Sequence, residues 1–181
     1  IRFIKKCLLK CLKLRYHYTL ADRILCVHGT DIHTEKMDYR ALAARAKEDR
    51  VTEEGKHRSK KRFGSSIAGH APARFLCILN RKLSYIGKEL HLVDTRKYRA
   101  SQFDHVTGGY TKVSLSTRWK EVGGHPVQRD LYSAFLLMNA AGDEHPDIAR
   151  CNDTFETFLK FHDTCICELK EAGISRPATF G

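Results

Sequence analysis

No stretch of the 181 residues approaches the roughly 18 apolar side chains that a membrane span needs, so a membrane partner is not expected. The opening run, Ile1-Arg-Phe-Ile-Lys-Lys, carries cations but no long apolar core followed by a small-residue cleavage site. It does not read as a signal peptide. No two of the seven cysteines (Cys7, Cys11, Cys26, Cys77, Cys151, Cys165 and Cys167) are spaced C-x-x-C. An odd count without paired spacing argues against a secreted disulfide scaffold and fits reduced thiols in a cytoplasm. Ser65, Ser66 and Ser133 have no base at a recognisable spacing, which leaves a serine nucleophile without support. His17, His28, His33, His57, His70, His91, His145 and His162 are scattered without ligand spacing, and surface or internally satisfied histidines are expected there. Internal repeats and long low-complexity stretches are also missing.

Charge is present, and unevenly. Residues 1–141 carry 28 Lys and Arg against 13 Asp and Glu, a net of +15, whereas residues 142–171 carry 3 against 8, a net of −5. A basic body with an acidic C-terminal segment favours polyanions, nucleic acid before membrane. The densest run, Lys56-His-Arg-Ser-Lys-Lys-Arg62, reads as a solvated loop or an arm in which Lys56, Arg58, Lys60, Lys61 and Arg62 touch phosphate. An apolar fraction of 42% argues against global disorder.

Hydrophobic spacing sets out the elements. Ile4, Leu8, Cys11, Leu14, Tyr18, Ala21 and Leu25 describe one helical stripe, stopped by Gly29. The segment Asp31–Glu35 suits a brief strand. Pro72 fits a first helical position, and Phe75, Leu76, Leu79, Leu83 and Ile86 form a second stripe ended by Gly87. Glu89–Thr95 reads as a strand with Leu90 and Leu92 on one face. Residues 96–126 are polar, with Gly108-Gly109 and Gly123-Gly124 as turn signals. Val127, Leu131, Phe135 and Met138 predict a third helix; Ile148, Cys151, Phe155, Phe158, Ile166 and Leu169 predict a fourth with an acidic outer face. Helices alternating with strands indicate an α/β architecture. Two strands alone make no stable sheet, so further strands lie either within the chain or upstream of Ile1. The chain opens on Ile rather than Met, inside a helical pattern, and reads as the C-terminal part of something longer.

The sharpest local pattern is Val127-Gln-Arg-Asp-Leu-Tyr-Ser-Ala-Phe-Leu136. Asp130 falls in the opening turn of the predicted helix. A carboxylate there suits the helix dipole and can cap free N–H groups. The cap is the usual role of such an Asp; the other is a metal ligand facing the end of a neighbouring strand, with Glu35 as partner. Two carboxylates from separate elements are the minimum for Mg²⁺, which prefers oxygen and keeps waters. Arg129 can contact a phosphate or pair with a carboxylate. Trp119 can stack on a base or serve as core.

Taken together, several segments resemble the TnpB-type (OrfB) transposase family. They are Gly29-x-x-Ile32-x-x-Glu35-Lys36, Phe63-Gly-Ser-Ser-Ile67, Ala71-Pro72, Leu79-x-Arg-Lys82, Ser101-Gln-Phe-Asp-His105, Lys112-Val-Ser-Leu-Ser-Thr-Arg-Trp119 and the Val127–Leu136 run. The resemblance covers roughly Cys11 to Asn139, and the motifs are specific in combination rather than singly. The family consists of RNA-guided DNA endonucleases of insertion sequences with a RuvC-like, RNase H-type nuclease domain. The resemblance implies that Glu35 and Asp130 are the Glu and the last Asp of a three-carboxylate Mg²⁺ site, with water as nucleophile and DNA phosphodiester as substrate. The expected layout is a partial RuvC-like nuclease over residues 1–95 and 127–141, an insert over 96–126 and an acidic helical tail over 142–181. DNA and a guide RNA are the implied partners of the complete protein, at the nucleoid.

The sequence departs from the family in two respects. The first Asp has no match in residues 1–30, where Asp22 lies within the helical stripe; the isolated chain is therefore expected not to cleave. The two C-x-x-C pairs of the family's zinc ribbon are replaced by Asp104-His-Val-Thr107 and Glu121-Val-Gly-Gly124. Asp104, His105, Glu121 and His125 remain there, but no structural zinc is expected. A metal-free hairpin held by Phe103, Tyr110, Leu115 and Trp119 is expected instead; Cys7 with Cys11, and Cys165 with Cys167, are expected to be small buried or half-buried residues. A different class remains as the alternative, a non-catalytic nucleic-acid-binding protein or decayed transposon relic in which both carboxylates are structural. A third is an unrelated basic α/β protein, in which Glu35 and Asp130 would lie apart.

Overall fold

The computed structural model describes residues 2–44, 55, 64–112, 114, 117–142 and 145–171. The basic run Lys56, Arg58, Lys60, Lys61 and Arg62 lies outside the described residues, as do Leu115 and residues 172–181. Helices and short strands alternate in a mixed α/β class. The order is α1 (Arg2–His28), β1 (His33–Glu35), α2 (Tyr39–Ala43), α3 (Gly64–His70), α4 (Pro72–Ser84), β2 (His91–Val93), α5 (Thr95–Tyr98), β3 (Phe103–Asp104), β4 (Gly109–Tyr110), β5 (Trp119–Val122), β6 (His125–Gln128), α6 (Arg129–Met138) and α7 (Ile148–Glu171). Among the described residues no helix is long and apolar enough to cross a membrane.

The chain forms two compact units. One holds residues 1–32 and 37–90; the other holds 33–36 and 91–181. This division cuts across the expected 1–95 segment.

In the first unit α1 packs on α4. Ala21, Ile78 and Leu79 are buried there, with Tyr18, Leu25, Phe75 and Leu90 packed around them. The α1 stripe departs from expectation at its upstream half, where Cys11 and Leu14 are exposed. Length gives the reason: α4 has 13 residues against 27 in α1 and can cover only part of it. His17 is buried instead, its Nε2 at 2.9 Å from the His70 carbonyl oxygen. Asp22 pairs with Lys82, which leaves its carboxylate engaged on the α1–α4 face.

In the second unit β1 and β2 run parallel, with His33 opposite His91, Thr34 opposite Leu92 and Glu35 opposite Val93. The Lys36 N–H continues the ladder to the Val93 carbonyl at 2.9 Å. Val93 is buried and Leu92 exposed, so the packed face of β2 is not the Leu90–Leu92 face. Two antiparallel pairs, β3–β4 and β5–β6, fall within or beside the polar stretch 96–126. They are the strands that apolar alternation did not reveal. The β5–β6 turn is Gly123-Gly124, both at positive φ (57° and 78°), flanked by the paired residues Val122 and His125. A two-residue hairpin loop of this kind needs left-handed backbone at both positions, which glycine adopts without steric cost.

β6 runs directly into α6, so the helix starts at Arg129 and not at Val127. Val93, Tyr98, Phe103, Val122, Val127, Tyr132, Phe135, Leu136 and Cys151 form one buried cluster. Phe155 and Phe158 of α7 pack against it, so the acidic segment supplies part of the core from its apolar face. Cys151 is buried, and burial raises its thiol pKa to about 11. Cys165 is half-buried, but Cys167 is exposed, contrary to expectation.

Candidate functional site

Glu35 ends β1, the position at which open α/β sheets usually present ligand-binding groups. Asp130 lies in the first turn of α6, which packs against β1. Burial is the main force raising the Glu35 carboxyl above its ordinary range, and the charge of Asp130 raises it further. Two carboxylates 95 positions apart in the chain therefore stand within electrostatic reach of each other.

Asp130 does not cap its helix. The cap is Gln128, whose Oε1 accepts the Leu131 N–H at 2.7 Å. The Gln128 amide also lies 3.4 Å from Asp130 Oδ2, a long donor contact. The Asp130 side chain is 51% exposed, so its oxygens face solvent while its backbone is fixed by the helix. Arg129 is only 7% exposed. It donates from Nη1 to the Ser114 carbonyl at 3.1 Å, and its Nε lies 3.7 Å from Asp130 Oδ1. At that distance Nε makes no hydrogen bond, so the contact with Asp130 is an ion pair only.

The β6–α6 junction has a remote anchor that the sequence did not reveal. His162 of α7 is buried, and its Nε2 accepts the backbone N–H of Gln128 at 3.0 Å. An accepting Nε2 puts the ring proton on Nδ1, which points to Asp163 Oδ1 at 2.8 Å. Trp119 meets the His162 ring edge to face at 5.9 Å and is 37% exposed. A single histidine on an amphipathic helix carries no spacing signal for such a contact.

The polar residues Asp104, His105, Glu121 and His125 of the 96–126 stretch are placed as follows. His105 is buried, and its ring nitrogen Nδ1 lies 2.7 Å from Tyr132 Oη. The His105 backbone N–H donates to the same oxygen at 3.1 Å, so the Tyr132 hydroxyl hydrogen goes to Nδ1. Burial lowers the imidazole pKa and keeps the ring neutral. Phe155 lies edge-on to it at 4.6 Å. Lys120 donates to the Phe103 carbonyl at 2.7 Å and sits 5.3 Å over the Tyr132 ring. Asp104 accepts the Val106 N–H, a turn contact; His125 stands 6.3 Å from the Phe155 ring; Glu121 faces Pro126 in the hairpin register. Of the hairpin residues expected, Phe103 is buried against Tyr110, and Tyr110 carries the Arg99 guanidinium 4.2 Å over its ring.

No family model matches the chain, and no curated protein matches it.

Proposed function

We propose that the chain is the back portion of a RuvC-like nuclease of the TnpB type, in which Glu35 and Asp130 hold Mg²⁺ during hydrolysis of DNA phosphodiesters. One observation carries the reading. Glu35, at a strand end, is half-buried on the strand against which α6 packs, and its carboxyl is raised first by burial and then by the charge of Asp130. Such perturbed acids mark sites where a cation or a proton is expected. The donor set fits: both groups offer only oxygen, the ligand Mg²⁺ prefers, and half-exposed Asp130 leaves room for the waters it retains. When bound, the ion would supply stabilisation of the attacking and leaving oxygens of the phosphodiester.

The chain's own residues do the positioning. Gln128 caps α6 and lies beside Asp130; Arg129 pairs with Asp130 from the buried side; His162 fixes the junction through the Gln128 N–H. Lys56, Arg58, Lys60, Lys61 and Arg62 would supply phosphate contacts that position the strand without reading sequence. Guide RNA would bind the complete protein, in a nucleoid setting. The first Asp of the family's site has no match in residues 1–30, so the isolated chain holds Mg²⁺ more weakly than a complete three-carboxylate site would, and it does not cut.

The test is a Mg²⁺ titration of the purified chain, followed by the carboxyl ¹³C signals of Glu35 and Asp130 and by thermal denaturation. Saturable shifts of both signals, lost together in Glu35→Gln or Asp130→Asn, are expected. Shifts equal to those of surface carboxylates would sink the metal reading and leave the non-catalytic binder. Mg²⁺-dependent DNA cleavage by this chain, abolished by Asp130→Ala, would refute the prediction that a third carboxylate is needed.

A further inference from the structure

The histidines carry no ligand spacing along the sequence, yet β1 and β2 bring two of them together. The parallel register sets His33 opposite His91. Their rings are stacked, with centroids 4.7 Å apart and planes 26° apart. One ligand nitrogen of each lies within 4.8 Å of the other. His33 is half-buried and His91 exposed. Side chains alternate along a strand, which puts His33 on the same face as Glu35, one strand repeat away.

We propose that His33 and His91 bind a late first-row divalent cation (nickel, zinc or copper) through their ring nitrogens, with water completing the coordination. Imidazole suits these metals, whereas Mg²⁺ selects oxygen, so the site is chemically distinct from the Glu35–Asp130 pair. Metal–nitrogen bonds of roughly 2.0–2.1 Å need nitrogens about 3.4 Å apart at the tetrahedral angle of zinc and about 2.9 Å apart at the right angle that nickel and copper prefer. A change of at most about 1.4–1.9 Å in the separation of the two nitrogens closes the difference from 4.8 Å. In-register pairing on two strands gives the nitrogens a fixed separation at the backbone, so a cation loses little chain entropy in joining them. The inference does not depend on nuclease function.

The probe is Ni²⁺, added to the whole chain under a non-coordinating reductant. Binding is measured by calorimetry, and its location by paramagnetic broadening of histidine ring signals in isotope-labelled protein. One equivalent should bind and broaden the His33 and His91 rings first. His33→Gln and His91→Gln should each weaken binding by at least about tenfold, the loss that follows removal of even an outer partner of a metal ligand. Circular dichroism checks that each variant is folded, and the broadening pattern of the unaltered chain needs no variant at all. Broadening that begins at other histidines, or equal affinity in His91→Gln and the unaltered chain, overturns the proposal. So does the absence of saturable Ni²⁺ binding.

Discussion

Replacing Tyr132 by Phe removes one oxygen and leaves the ring that packs among Phe135 and Phe158. That oxygen serves two buried groups at once, the backbone N–H and the Nδ1 of His105. His105 is 2% exposed and Tyr132 1%, so water cannot replace the missing partner. A buried polar group left unpaired costs about 1–3 kcal/mol. Two such groups at the low end give about 2 kcal/mol, which for a chain of this length lowers the melting temperature by about 4–8 °C. A second signature accompanies the first. Burial depresses the folded His105 pKa below its ordinary 6.5, so on acidification the unfolded chain takes up the proton first. This contribution is complete above pH 6.5 and is lost as pH falls through the lowered folded value. In Tyr132→Phe the Nδ1 no longer receives a hydrogen and accepts a proton more readily, so the acid-side slope becomes shallower. Thermal and urea denaturation across pH 5–8 read both effects. A loss under about 1 °C with an unchanged slope would refute the argument that Tyr132 and His105 together pin the insert to α6.

Glu35→Gln should stabilise the chain at pH 7 without Mg²⁺. The folded carboxyl is raised, so its contribution is full below about pH 4.5 and is lost as pH rises through the folded value; the advantage of the variant should fade on acidification. A variant that is less stable at pH 7 would show that Glu35 makes net favourable contacts. At Mg²⁺ ten times its dissociation constant, the unaltered chain should gain about 1.4 kcal/mol, or about 3–6 °C, and Glu35→Gln nothing. His162→Ala should cost at least about 1–3 kcal/mol by orphaning the Gln128 N–H, and it should perturb the Asp130 carboxyl signal; an unperturbed signal would separate the anchor from the site. Gly124→Ala should destabilise the β5–β6 hairpin by about 1–2 kcal/mol through backbone strain alone, since open space surrounds the added carbon; denaturation midpoints decide it. Neutralising the five cations between Lys56 and Arg62 should lower the salt slope of DNA binding by about 0.9 for each phosphate that those cations neutralise; an unchanged slope removes that run from the interface.

Much of this was legible because it is local. The α1 and α4 stripes, Pro72 at the start of α4, the glycine turns and Glu35 at a strand end follow from residues within a few positions of one another. The β3–β4 and β5–β6 pairs were hidden because their strands are two to four residues long and only partly buried, too short for alternation to register. Leu90 and Leu92 suggested the wrong packed face for β2. Leu90, just before β2, serves the first unit's cluster and Val93 the second's, so hydrophobicity along this one segment reports two separate cores. The placement of Asp130 was legible, but its freedom from capping was not, because either Gln128 or Asp130 satisfies the helix start by composition alone. The His33–His91 pair, the His162 anchor and the His105–Tyr132 bond each join residues 27 to 58 positions apart, and no pattern within one helix or strand records them.

The case for Glu35 and Asp130 as a working pair rests on what folding alone would select. A carboxylate in the first turn of a helix is ordinarily explained by the free N–H groups it satisfies. Here Gln128 provides the cap, so Asp130 has no such duty to the helix. A carboxylate at a strand end is ordinarily solvated or paired with a cation. Glu35 is instead raised by burial and by a second negative charge, in a chain whose net charge is +11. The surplus of cations makes this arrangement harder to attribute to a shortage of positive partners. The buried cation at the junction, Arg129, is turned toward Asp130 and tied to the Ser114 carbonyl. Neutral residues at both positions would relieve the repulsion, and the sign of the Glu35→Gln stability change measures that relief. A stabilising sign with loss of Mg²⁺ response would mean that the charges oppose folding and serve the cation. A destabilising sign would return both carboxylates to the structural account.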